Sequence, residues 1–175
     1  MDIEKINQLL QSVDGNYLEI GVYYGETFFE LAKKNPTRKL YGIDPFISDG
    51  WTGQHKGTQL SEAEQVCNQK MKEFPNTFIF KATSKQFAGM PADIKGFNIS
   101  TVFIDGSHWY DDVVIDTDLA IKMIGKKPGI IIYDDLHIGG VRDALKQGLE
   151  KYPQIKPLES PQIFGMGMFY SVNTP

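Results

Sequence analysis

The sequence predicts an α/β domain: a largely parallel sheet with helices on both faces and an antiparallel finish. Three observations carry this. Segments with helical spacing of apolar residues alternate with short apolar runs along most of the chain. Those runs are nearly continuous rather than alternating, as strands buried on both faces are. The last two runs, 155–159 and 166–172, have no helical pattern between them, so they must turn back on one another.

In chain order, Ile3, Ile6, Leu9, Leu10 and Val13 recur at helical spacing, and Asp14 with Gly15 breaks this N-terminal helix of residues 1–15. Residues 17–22 read as a first strand. The stretch GETFFELAKK follows as a helix starting near Thr27, its lysines at the C-terminal end where the dipole favours them. A second strand covers 39–44. The sequence PFISDGWTGQHKGTQ is the longest stretch without pattern, and 45–60 is expected to be a lid loop carrying Trp51 and His55. Ser61 with Glu64 fits a capping box for a helix to residue 74. A third strand (77–81), a helix over 85–94 interrupted at Pro91, and a fourth strand (101–105) come next. A helix over 110–124 ends at GKKPG and leads to a fifth strand, 130–134. Val141, Ala144, Leu145, Leu149 and Tyr152 stripe one face of a final helix.

The bulk composition narrows the function classes. The 175 residues are 41% hydrophobic and 23% charged, enough for one well-packed domain. A net charge of −4, with no basic cluster larger than Lys33-Lys34 or Lys126-Lys127, argues against general nucleic-acid binding. The single cysteine, Cys67, forms no intrachain disulfide and suits a reducing, cytoplasmic setting; its mid-helix place reads as a core position. The start MDIEKINQLL lacks the basic and apolar blocks of a signal peptide, and no apolar run approaches the ~20 residues of a membrane span.

In an open parallel sheet, ligands bind beyond the carboxyl ends of the strands. Each strand of the parallel set delivers polar residues there: Glu19, Gly21, Tyr23, Tyr24, Gly25 and Glu26 from the first; Asp44; Thr83 and Ser84; Asp105, Ser107 and His108; Asp134, Asp135 and His137. The turn EIGVYYGET has glycines for a tight strand-to-helix passage, but Tyr23 stands where a dinucleotide-binding turn has its middle glycine. The ligand expected is therefore one without bridging phosphates. Asp44 is placed to accept hydrogen bonds from the ribose hydroxyls of an adenosine, or else to form the turn before Pro45.

The stretches YLEIGVYYGET, LYGIDPF and VFIDGSHWYDDVVIDTDLAIKMIGKKPGIIIYDD together resemble class I S-adenosylmethionine-dependent methyltransferases. The nearest type is the small O-methyltransferase-like family of macrocin-type sugar enzymes, with its strand-four IDG-x-H-x-Y signature. The resemblance covers residues 16–172. It implies a Rossmann-like, doubly wound seven-stranded sheet of order 3-2-1-4-5-7-6, strand 7 antiparallel, with 1–175 as a single methyltransferase domain. It implies further that Glu19 and the 21–25 turn, with Tyr23 and Tyr24, hold the amino-acid part of the cofactor, that Asp44 holds the ribose, that Thr83 and Ser84 lie near the adenine, and that Asp105 sits below the sulfonium.

Transfer of a methyl group to a hydroxyl oxygen needs alignment and removal of the acceptor proton. His108 is the candidate base, with His137 second and His55 available if the loop folds over. Asp105, Asp134 and Asp135, ending neighbouring strands ~4.8 Å apart, form a candidate site for Mg2+ or another hard cation. In regular strand Asp134 and Asp135 would face opposite sides, and Asp135 could instead cap the next segment. Several relatives carry another acid where this chain has Ser107. Trp109 and Tyr110 are expected to wall the acceptor pocket. The expected acceptor is a small molecule or a sugar. Two other readings stand beside this one: a catalytically inactive cofactor-binding partner module, and an NAD(P)-dependent oxidoreductase, which Tyr23 and the antiparallel ending oppose. The apolar IFGMGMFYSV end serves either a homodimer or a core strand.

Overall fold

A computed structural model describes residues 2–47, 57–90, 94–158 and 168–173. The elements run α1 (Ile3–Gln11), β1 (Asn16–Ile20), α2 (Glu26–Lys34), β2 (Leu40–Ile43), α3 (Gly57–Glu73), β3 (Thr77–Phe80), α4 (Ser84–Ala88), a 3-10 turn (Ile94–Phe97), β4 (Ile99–Ile104), α5 (Tyr110–Ile124), β5 (Gly129–Tyr133), α6 (Gly139–Lys151), β6 (Ile155–Pro157) and β7 (Met168–Val172). Among the described residues, one sheet of order β3-β2-β1-β4-β5-β7-β6 holds all seven strands. β7 runs antiparallel to both of its neighbours, β5 and β6. This is the doubly wound sheet expected from the sequence.

Side-chain alternation divides the core in two. Tyr17 on β1 packs with Ile6 and Leu10 of α1, Phe28 and Leu31 of α2 and Ala63 and Cys67 of α3. Leu18 and Ile20 pack on the other face with Phe87 of α4, Val113 and Leu119 of α5 and Val141 and Leu145 of α6. Each large apolar side chain taken fully from water contributes roughly 1.5–3 kcal/mol. Both faces of the central strands are covered, which is why they read as continuous apolar runs.

Several local readings change. α3 begins at Gly57, so Ser61 lies inside the helix and caps nothing; the capping box falls instead at Thr83 and Gln86, at the start of α4. The expected 45–60 lid loop is shorter, because 57–60 are helical; Trp51 and His55 lie outside the described residues. The helix expected over 85–94 is a short α4 and a separate 3-10 turn. Residues 168–172 serve as an inner strand, the core-strand reading of that segment. Among the described residues, no helix is long and apolar enough to cross a membrane.

The register levels the strand ends. Ile20 pairs with both Ile43 and Ile104, and Ile104 pairs with Tyr133. The next residues continue the ladder: Gly21 N–H donates to the Ile43 carbonyl (2.9 Å), Asp105 N–H to Ile20 (2.9 Å) and Asp134 N–H to Ile104 (3.0 Å). Gly21, Asp44, Asp105 and Asp134 therefore form one row across the switch point between β1 and β4, where the chain changes winding direction.

Candidate active site

At the β1 end, Gly21 has φ +88°, a conformation L side chains rarely adopt, and a Cβ there would lie 2.1 Å from the Asp105 carbonyl oxygen. The turn after it closes on Asp44. The Val22 and Tyr23 N–H groups both donate to Asp44 Oδ2 at 2.8 Å, and the Phe46 N–H donates to Oδ1 at 2.6 Å. Asp44 thus organises its own turn and that of the neighbouring strand while still lining the cavity. Tyr23 takes a left-handed φ of 51°. Its carbonyl accepts from the Cys67 thiol at 3.1 Å. Burial, with the Asp44 charge adding, pushes that thiol up to about 12, so Cys67 is a protonated core donor and no nucleophile.

Glu19 is 2% exposed and accepts from the Tyr17 hydroxyl at 2.7 Å. Burial holds its pKa well above the usual carboxylate range, against the pull of the Tyr17 bond, and Asp105 and Asp44 raise it further. The groups that act on it are a hydroxyl and two further acids.

The Thr83 hydroxyl accepts from the Gln86 N–H (3.2 Å), and Gln86 Oε1 accepts from the Thr83 N–H (2.8 Å). Ser84, 7% exposed, hydrogen-bonds the carboxyl of Asp116 on α5. Both Thr83 and Ser84 line the cavity.

The β4–β5 end is built from side-chain pairs. His108 Nε2 lies 2.8 Å from Asp135 Oδ2, and His137 Nδ1 lies 3.7 Å from Asp135 Oδ1. The hydrogen bond from His108 holds the Asp135 carboxyl below its ordinary range. Asp105 moves the other way: burial, then the charges of Asp134 and Asp135, hold its pKa well up. Gly140 at the start of α6 seats the loop, since a Cβ there would lie 2.4 Å from the His108 carbonyl oxygen. Ser107 donates to Asp112 Oδ2 at 2.7 Å and accepts from the Trp109 N–H at 3.3 Å, ordering the entry to α5.

The expected cation site of Asp105, Asp134 and Asp135 is not assembled. Among the described residues, no three His, Cys, Asp or Glu side chains converge as a cation cage. The strand ends at Tyr133, Asp135 turns left-handed (φ 55°) toward the two histidines, and Asp134 Oδ1 accepts from the Asp135 N–H at 2.8 Å. Nor do Trp109 and Tyr110 wall the pocket: they are exposed and lie outside its lining, as do Asp134 and His137.

A cavity of about 890 Å³ runs along the strand ends, from Glu19, Gly21 and Tyr23 through Asp44 and Ser84 to Asp105, His108 and Asp135. That volume suits a cofactor with room for a small second ligand. Asp112 and Asp116 on α5 also line it, and sequence reading missed them. The available signal was an acid on the buried stripe of a helix: Asp116 sits with Val113, Thr117 and Ala120.

This row of glycine turn and strand-end acids on a 3-2-1-4-5-7-6 sheet defines a class I S-adenosylmethionine-dependent methyltransferase fold. The chain belongs to the methyltransferase domain family, whose model matches residues 18–136. A curated relative, the uncharacterized protein R132 of Acanthamoeba polyphaga mimivirus, is 27% identical over 134 residues. The match covers 76% of this chain and 57% of the relative, so the chain spans little more than half that protein's length. Among solved structures, CalS11, a TDP-rhamnose 3'-O-methyltransferase of calicheamicin biosynthesis, superposes with a TM-score of 0.64 at 15% identity over 96% of this chain and 76% of its own. A Staphylococcus aureus protein assigned as a caffeoyl-CoA O-methyltransferase gives 0.65 at 16% identity over 98% and 82%. At these identities the structural likeness establishes the fold.

Proposed function

We propose that this chain binds S-adenosylmethionine and transfers its methyl group to a hydroxyl oxygen of a small molecule or sugar, with His108 as general base. The observation that carries the reading is the His108–Asp135 pair, 2.8 Å apart, at the wall of the cavity beside Asp105. The cofactor suits the rest of the cavity. Gly21 allows the close approach of the β1 and β4 ends at the cavity wall, and Glu19 is a buried acid whose charge the cofactor's amino group would balance. Asp44 faces the same space for the ribose, and Thr83 and Ser84 border the adenine region. Tyr23 crowds the place a pyrophosphate would need, which disfavours a nicotinamide cofactor.

When bound, the cofactor supplies an electrophilic methyl group on a sulfonium. His108 takes the proton of the acceptor hydroxyl. Asp135 orients the ring and balances the imidazolium charge that forms. Asp105, held toward its neutral form, hydrogen-bonds the acceptor and fixes its approach. One named structural neighbour is a TDP-rhamnose 3'-O-methyltransferase and the other is assigned as a caffeoyl-CoA O-methyltransferase, which supports oxygen as the acceptor atom.

Calorimetric titration with S-adenosylhomocysteine is expected to give micromolar affinity, about −8 kcal/mol. Product release is then followed with S-adenosylmethionine and a panel of hydroxyl acceptors. His108→Gln should slow turnover on the order of 10²- to 10⁴-fold while leaving that affinity unchanged. A folded chain that binds no S-adenosylhomocysteine would sink the reading. Tight binding without turnover on any acceptor class would replace it with a cofactor-binding module.

A further inference from the structure

The proposed mechanism leaves one buried acid of the cavity without a role. Asp116 lies on the core-facing stripe of α5, 4% exposed, among Val113, Thr117 and Ala120. Asp116 lines the cavity, as do Ala82, Thr83 and Ser84. A helix gains nothing by burying a carboxyl in an apolar stripe. The Ser84 hydroxyl hydrogen-bonds the Asp116 carboxyl, which keeps further acceptor capacity for a ligand.

We infer that Asp116 reads the adenine base of the bound cofactor, taking the amine edge of the ring with its carboxyl; this rests on the cofactor reading of the cavity. The chemistry matches. Adenine presents an amine donor beside a ring-nitrogen acceptor, which a carboxamide recognises by accepting and donating at once. A carboxyl does the same only when it carries its proton. Burial, with the Asp112 charge one turn back on α5 adding, raises the Asp116 pKa from 3.8 to about 7, against the pull of the Ser84 bond. The other charged or titratable groups that line the cavity are Lys85 from α4, Asp105 and His108 after β4, Asp135 after β5, Asp44 after β2, and Glu19 and Glu26 from β1 and the start of α2. Adenine binding stabilises the protonated carboxyl, so the cofactor brings a proton in with it above neutral pH.

The test is calorimetric titration of the whole chain with S-adenosylhomocysteine from pH 6 to pH 8.5, in two buffers of different ionisation enthalpy. Wild type should weaken by about thirtyfold across that range as the protonated fraction falls, and should take up close to one proton per site at the alkaline end. Asp116→Asn keeps the donor–acceptor pair, so it should retain the affinity seen at pH 6, lose the slope and take up no proton. Asp116→Ala should bind more weakly at every pH. A flat wild-type profile without proton uptake overturns the inference, as does a slope that survives in Asp116→Asn. The wild-type profile needs no variant to fold. Absence of S-adenosylhomocysteine binding by wild type at every pH is a different result, and removes the cofactor reading itself.

Discussion

At the β1–β2 edge of the cavity, side chains answer to the backbone; at the β4–β5 edge they answer to one another. Asp44 takes three N–H groups, two of them from the turn after β1, and that turn has no freedom apart from it. His108 and Asp135 hold each other across the ends of two strands, and Asp135 also draws His137 toward it. The first edge is a fixed seat, and its loss is a loss of structure. The second is a pair of titratable groups on a seat provided by others, and its loss is a loss of chemistry. Binding a common cofactor asks for the first kind of site, proton transfer for the second.

The largest expected effect comes from breaking the join between the two edges. Gly21→Ala drives a Cβ against the Asp105 backbone in a left-handed turn and should destabilise the chain by more than about 4 kcal/mol; thermal unfolding measures it. A mere shift of a degree or two would mean the edges are not rigidly coupled.

The next effect separates burial from function by pH. A raised carboxyl pKa means that the folded chain holds a proton the unfolded chain releases. The share of stability that Asp116 carries should therefore be lost as pH rises from about 4 to about 7 and stay lost above that. For Asp116, raised from 3.8 to about 7, the cost above pH 7 reaches about 4 kcal/mol at ~1.4 kcal/mol per pH unit. Asp116→Asn should remove that share of the slope and raise the melting temperature at pH 8 more than at pH 5. Equal shifts at both values would show that the carboxyl does not titrate in this window.

Asp44→Ala strands three backbone donors, two of them in the turn that seats the cofactor. It should cost about 3 kcal/mol, read in denaturant unfolding, and abolish measurable S-adenosylhomocysteine binding. Retained binding would relegate Asp44 to the turn alone. The smallest effect is at the other edge. Asn tolerates the left-handed backbone of Asp135 and keeps a hydrogen bond to His108 without the charge. Asp135→Asn should slow turnover about tenfold, on the order of 1.4 kcal/mol, with unfolding and cofactor affinity unchanged. A large loss of stability there would contradict the division between the edges.

The frame of the fold is written in local sequence pattern. Burial on both faces writes parallel strands as unbroken apolar runs, so the strands around Leu18, Ile43, Val102 and Ile131 were legible, as was the antiparallel finish from two apolar runs without a helical sequence pattern between them. Strand-end positions follow from strand ends, so Gly21, Asp44 and Asp105 were legible as one row, with Glu19 and His108 beside it. Tertiary structure decided how those groups pair. Nothing in the order Asp134-Asp135 says that the strand stops at Tyr133 and that a left-handed turn sends Asp135 to His108 instead of toward a shared cation. Nor does the sequence say that Asp116, one polar residue on an apolar helix face, meets Ser84 from another helix at the cavity wall. Local pattern records which face a residue takes, because that depends on neighbours three or four places away. Which atoms meet across the fold depends on backbone placement at long range, and no short stretch of sequence encodes it.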